Sequence, residues 1–116
     1  MPHDVLVVDD DGAVRELLCK ALARSGFRAT GCATGEHALS LARTSCYDAV
    51  LIDHDLPGMT GTETTKELHV LCPRSVIIGM SGGHSGEGFP RAGGDLFLHK
   101  PFNISHVVLY LQARLS

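Results

Sequence analysis

The sequence predicts a doubly wound α/β domain on a five-stranded parallel sheet. Three observations lead there. Short, wholly apolar runs such as Val5-Leu6-Val7-Val8 and Ala49-Val50-Leu51-Ile52 lack polar alternation, which marks strands buried on both faces. Between such runs, apolar residues recur with a helical period, so strands and helices alternate along the chain. The length of 116 residues suits one small domain whose core forms without staples.

The first strand spans residues 5–8 and is ended by Asp9-Asp10-Asp11-Gly12. A helix follows over 13–25, because Val14, Leu17, Leu18, Ala21 and Leu22 share one face, and Gly26 closes it. Residues 27–32 form a second, weaker strand. Residues 34–44 read as a helix with Ala38, Leu41 and Ala42 on one face and Thr34 as N-cap. The third strand is 48–52, and the Pro-Gly content of 55–61 makes that stretch a loop. A helix over 62–71 is weakly marked: Thr62, Thr64 and Thr65 are mediocre helix formers, and only Leu68 and Leu71 define an apolar face before Pro73 stops it. Strands at 75–80 and 95–99 follow. The last helix, 103–115, carries Ile104, Val107, Val108, Leu111 and Leu115 at helical spacing with Asn103 as cap.

Composition narrows the function. A net charge of −3 provides no electrostatic reason for direct nucleic-acid binding. Cys19, Cys32, Cys46 and Cys72 have neither C-x-x-C nor zinc-finger spacing, so free thiols and a reducing cytoplasm are expected. No signal peptide opens the chain, and its apolar runs are too short to span a bilayer.

In an open parallel sheet the ligand crevice lies beyond the carboxyl ends of the strands. The residues predicted there are Asp9, Asp10, Asp53, Ser81 and Lys100. Carboxylates gathered this closely repel unless a cation intervenes, and hard oxygen ligands suit Mg²⁺. A lysine offers a point charge to a phosphoryl group, and a serine hydroxyl can donate to one phosphoryl oxygen. Together they are the equipment of phosphoryl transfer, in which a carboxylate nucleophile yields an acyl phosphate.

Several blocks stand in order: residues 5–11; 47–53 followed by Leu56-Pro57-Gly58-Met59 and Gly61; Val76 to Gly82; and Ala92 to Phe102 with its Lys100-Pro101 pair. With them the chain resembles a response-regulator receiver domain of two-component signalling, of the CheY-like superfamily, over essentially all of residues 1–116. The resemblance implies a flavodoxin-like strand order 2-1-3-4-5. It implies that Asp53 is the phosphoacceptor, that Asp10 binds Mg²⁺ directly and Asp9 through water, and that the backbone carbonyl of Asp55 joins the metal shell. Ser81 would be the switch hydroxyl, Phe97 the aromatic switch, and Lys100 the phosphoryl-binding cation aimed by a cis peptide before Pro101. A Phe at that switch, having no hydroxyl to keep wet, should reach its inward state more easily than a Tyr. The implied partners are a histidine kinase or histidine phosphotransfer protein, a downstream effector protein or domain, and a second copy in a homodimer. Neither nucleic acid nor membrane is bound directly. The domain signals and is not an enzyme beyond its own phosphotransfer and autodephosphorylation.

The sequence departs from that family in places. Residues 82–90 carry four glycines at about 1 kcal/mol of helix penalty each, plus Pro90, so the fourth helix should be short or missing. That puts the usual output face in doubt. Asp55 adds a negative side chain beside the site, and the polarity of Thr62 and Thr65 has no functional account.

Plainer readings stand beside these. Asp9, Asp10 and Asp11 could be helix-capping acids, Asp11 above all. Ser81 could merely begin a turn, and Phe97 could be core. His54, His84 and His99 fall near the active face without the look of ligands or phosphodonors. Competing functions are a degenerate receiver that signals without phosphate, and a haloacid-dehalogenase-type phosphatase, whose D-x-D motif Asp53-His54-Asp55 resembles. No phosphate-binding glycine motif follows a strand in the required place. The sequence leaves open whether the domain stands free or belongs to a larger regulator or hybrid kinase.

Overall fold

The computed structural model describes residues 2–83 and 86–115. Strands β1 (Asp4–Val8), β2 (Arg28–Cys32), β3 (Ala49–Asp53), β4 (Val76–Ser81) and β5 (Leu96–His99) alternate with helices α1 (Gly12–Arg24), α2 (Gly35–Thr44), α3 (Gly61–Leu71), α4 (Phe89–Ala92) and α5 (Ile104–Leu115). The sheet order is β2-β1-β3-β4-β5, with every neighbouring pair parallel. Fold class and strand order are as the sequence and its resemblance led one to expect.

Side chains alternate across a strand, so each apolar run feeds two cores. Leu6, Val8, Val50, Ile52 and Ile77 pack with Ala38 and Leu39 of α2, Leu68 of α3 and Phe89. Val5, Val7, Leu51, Ile78 and Met80 pack with Leu18 and Leu22 of α1 and with Val107 and Leu111 of α5. The helices therefore cover both faces, which is what an unalternated strand requires.

Caps fall where the sequence placed them. Thr34 Oγ1 accepts from His37 N, and Asn103 Oδ1 accepts from Ser105 N. Asp11 accepts from the Ala13 and Val14 amides, so its side chain serves as the cap of α1.

The weakly marked α3 is held by means that apolar periodicity does not register. Thr60 and Glu63 form a capping box, each side chain bonded to the other's backbone amide. Thr64 and Thr65 are fully buried, and Thr64 Oγ1 donates to the Thr60 carbonyl one turn back. Thr64 and Thr65 thus occupy the inner face of the helix, where apolar periodicity did not place them.

The fourth helix is the short turn Phe89–Ala92, as the glycine content implied, and it ends at Gly93 with φ +108°. Phe89 is almost wholly buried in the core beneath it. His84 lies outside the described residues.

The cysteine expectation is corrected. Cys46 and Cys72 are joined by a disulfide, while Cys19 and Cys32 are free. The two joined positions lie just past the C-terminal ends of α2 and α3. Those helices pack side by side, so their ends meet although the chain separates them by 26 residues. Spacing rules for metal or redox motifs do not register such a pairing. Burial pushes the Cys32 thiol up to about 11 and the Cys19 thiol above its ordinary value, so both stay protonated.

Two outcomes follow. Reduction of the Cys46–Cys72 bond should lower stability by about 3.5 kcal/mol on the loop-entropy estimate, read from urea unfolding with and without reductant. Thr65 Oγ1 is buried with no hydrogen-bond partner among the described residues. Thr65→Val should therefore raise stability by about 1 kcal/mol in the same assay.

Candidate functional site

The carboxyl ends of the strands converge as the topology demands. Asp9 follows β1, Asp53 ends β3, Ser81 ends β4 and Lys100 follows β5. Backbone bonds continue the sheet ladder past the strand ends and hold these positions: Asp9 N to the Cys32 carbonyl, His54 N to the Met80 carbonyl and Lys100 N to the Ser81 carbonyl. The Lys100–Pro101 peptide is cis, as the resemblance implied.

Lys100 reaches from the end of β5 past β4 and β3 to β1. Its Nζ donates to Asp9 Oδ2 at 3.0 Å and lies 3.6 Å from Asp53 Oδ2. Asp9 is fully buried and also accepts from the Asp11 amide at 2.9 Å. Asp53, only 3% exposed, accepts from the Asp55 amide at 3.1 Å. Asp10 is exposed, yet its carboxylate, with those of Asp9 and Asp53, provides ligand atoms all within 4.8 Å of one another. Three hard oxygen donors at this separation, one of them open to solvent, fit a magnesium ion that keeps several waters.

Electrostatics follow from burial. Removal from water pushes the Asp53 carboxyl above its usual range. The Asp55 amide and Lys100 pull it down, while the charges of Asp9 and Asp55 push it further up. Burial alone would lower the Lys100 amine, but its hydrogen bond and attraction to Asp9, with help from Asp53, leave it above its ordinary value. The lysine is therefore a fixed cation, while burial leaves the Asp53 carboxyl raised despite it.

Several participants were not legible in advance. The Asp55 side chain is not simply loose negative charge: its Oδ2 accepts from the Ser81 hydroxyl at 2.9 Å. His54 is nearly buried, its ring hydrogen-bonded through Nε2 to Thr62 Oγ1. It meets Phe97 edge-on at 5.1 Å and Phe89 at 5.4 Å, and Phe97 in turn meets Phe89 at 5.4 Å and His99 at 5.5 Å. Gly86 lies over the Phe97 ring so closely that a Cβ there would come within 2.6 Å of it. Thr62 was noted as a poor helix former whose polarity had no functional account, and an aromatic cluster drawn from three separate segments has no sequence signature.

A sequence model of the response regulator receiver domain family matches residues 5–112. The chain belongs to this family. Among curated relatives, the receiver domain is 34% identical to the probable transcriptional regulatory protein TcrX of Mycobacterium tuberculosis, over 98% of this chain and 50% of that protein. It is 32% identical to the transcriptional regulatory protein SrrA of Staphylococcus aureus, over 99% of this chain and 48% of that protein. The chain thus spans about half the length of the curated relatives it matches. A solved receiver domain protein (CheY-like) from Methanospirillum hungatei superimposes with a TM-score of 0.93 at 29% identity, covering 99% of this chain and 94% of that one. The receiver domain is accordingly a two-component signalling domain. The family match gives no support to the phosphatase reading of Asp53-His54-Asp55.

The raised Asp53 carboxyl binds its proton more tightly folded than unfolded. Its contribution to stability is therefore full below the unfolded carboxyl range and is lost as pH rises through the folded one. Without divalent metal, Asp53→Asn should raise the melting temperature by a few degrees at pH 7. The gain should vanish near pH 3, where both proteins are uncharged at this position, as thermal scans across pH would record.

Proposed function

We propose that this receiver domain, taken as residues 1–116, accepts a phosphoryl group on Asp53 in a Mg²⁺-dependent reaction. The observation that carries the proposal is one buried carboxylate placed between a fixed ammonium group and two further acids. Asp9, Asp10, Asp53 and the backbone carbonyl of Asp55 are the residues that would hold the ion. When bound, magnesium neutralises the acidic cluster and draws charge from the phosphoryl oxygens.

The chain's own groups supply the rest. A carboxylate oxygen of Asp53 attacks phosphorus; the new P–O bond forms as the bond to the donor's histidine nitrogen breaks. Lys100 stabilises the charge gathering on the equatorial oxygens, and Ser81 donates its hydroxyl hydrogen to one of them. Phe97, packed beside His54, is the side chain proposed to report the change to the surface. The donor would be a histidine kinase or histidine phosphotransfer protein. An apolar groove of about 580 Å³, lined by Leu17, Leu18, Pro101 and Phe102, opens beside Lys100 and suits the docking of such a donor. The receiver end of the pathway would be an effector protein or domain, with a homodimer as one output form.

A cytoplasmic location belongs to this proposal. No helix among the described residues is long and apolar enough to cross a membrane.

The test is acetyl-phosphate labelling followed by intact mass. Wild type with Mg²⁺ should gain the mass of one phosphoryl group. Asp53→Asn, and wild type with chelator, should gain none. Labelling of the variant, or none of the wild type, would remove Asp53 from this role.

A further inference from the structure

The Ser81 hydroxyl, which the phosphotransfer reading assigns to the phosphoryl group, is already committed elsewhere. Its oxygen accepts from the Gly83 amide at 3.1 Å, and its hydrogen is directed at Asp55 Oδ2, 2.9 Å away. Ser81 is fully buried, whereas Asp55 is exposed. Asp55 also donates its own amide to Asp53 Oδ1 at 3.1 Å. One residue therefore holds the acceptor carboxylate through its backbone and the switch hydroxyl through its side chain.

A hydroxyl has a single hydrogen to donate. While that hydrogen serves Asp55 it cannot serve a phosphoryl oxygen, and the two acceptors exclude each other. The bond is charge-assisted, about twice as strong as a neutral one. Breaking it counts against the phosphorylated arrangement.

We infer that Asp55 is a positioning residue that latches the Ser81 hydroxyl in the unphosphorylated state, so that opening this latch is part of accepting the phosphoryl group. The inference rests on the phosphotransfer reading above and adds to it a chain-specific brake. It differs from a general effect of negative charge beside the site, because a latch requires the serine hydroxyl whereas through-space repulsion does not.

A double-mutant cycle separates the two. Beryllofluoride, as phosphoryl probe, is titrated calorimetrically in saturating Mg²⁺ into wild type, Asp55→Ala, Ser81→Ala and the double variant. Mg²⁺ alone is titrated into each, so that altered metal affinity is measured separately. With Ser81 present, Asp55→Ala should tighten beryllofluoride binding about tenfold, the scale of one charge-assisted hydrogen bond. In the Ser81→Ala background the same change should have less than about a twofold effect, the scale of an exposed charge. Asp55→Asn, which keeps an acceptor without the charge, should fall between wild type and Asp55→Ala.

Equal tightening in both serine backgrounds would assign the effect to charge alone and overturn the latch. So would unchanged or weaker binding by Asp55→Ala at equal metal occupancy. Failure of wild type to bind beryllofluoride at all would instead strike the phosphotransfer reading, and the latch with it.

Discussion

Two acidic side chains, Asp9 and Asp53, are buried at the carboxyl ends of the central strands, and the Lys100 ammonium group reaches both. Taking carboxylates out of water costs several kcal/mol each, and removing one partner of such a group leaves an uncompensated charge. Lys100 can meet this cost only because β1, β3 and β5 end at the same level, although β4 separates the last two. The parallel sheet and the site are therefore one construction. The apolar strands bring no function of their own, but they set the height at which the charged groups meet.

The other half of the molecule's character comes from what replaces a full fourth helix. The described fourth helix is only Phe89–Ala92, and its buried Phe89 ring joins Ala38, Leu39 and Leu68 in covering that face of the sheet. Phe89 packs on His54 and Phe97, and His54 directly follows Asp53 in the chain. Thr62 on α3 orients the same imidazole. A change at the carboxylate is thus one residue removed from a packed ring cluster that extends to His99 at the surface. Cores of this density favour discrete rearrangements over gradual ones, which is the physical basis on which a small event at Asp53 could reach a distant face.

Much of this was readable in the linear chain. Unalternated strands, capped helices and the order of Asp9, Asp53, Ser81 and Lys100 follow from periodicity and from acids and lysine standing where strands end. The short fourth helix was readable as well, since glycine acts on the backbone locally. The misses share a cause. Thr64 and Thr65 were judged by propensity, yet tertiary contact with the interior decides their place. The Cys46–Cys72 pair was judged by spacing, yet helix packing joins it. Asp55 was counted as a charge, yet the approach of β4 turns it into a hydrogen-bond acceptor.

The sequence by itself determined which segments fold and which groups end each strand, because backbone preference and side-chain periodicity act over a few neighbouring residues. Tertiary structure alone decided which of those groups share hydrogens, rings and sulfurs. The Cys46–Cys72, Asp55–Ser81 and Asp9–Lys100 pairings join positions 26 to 91 residues apart in the chain. Contacts at that range depend on how whole elements pack, and no local pattern encodes them.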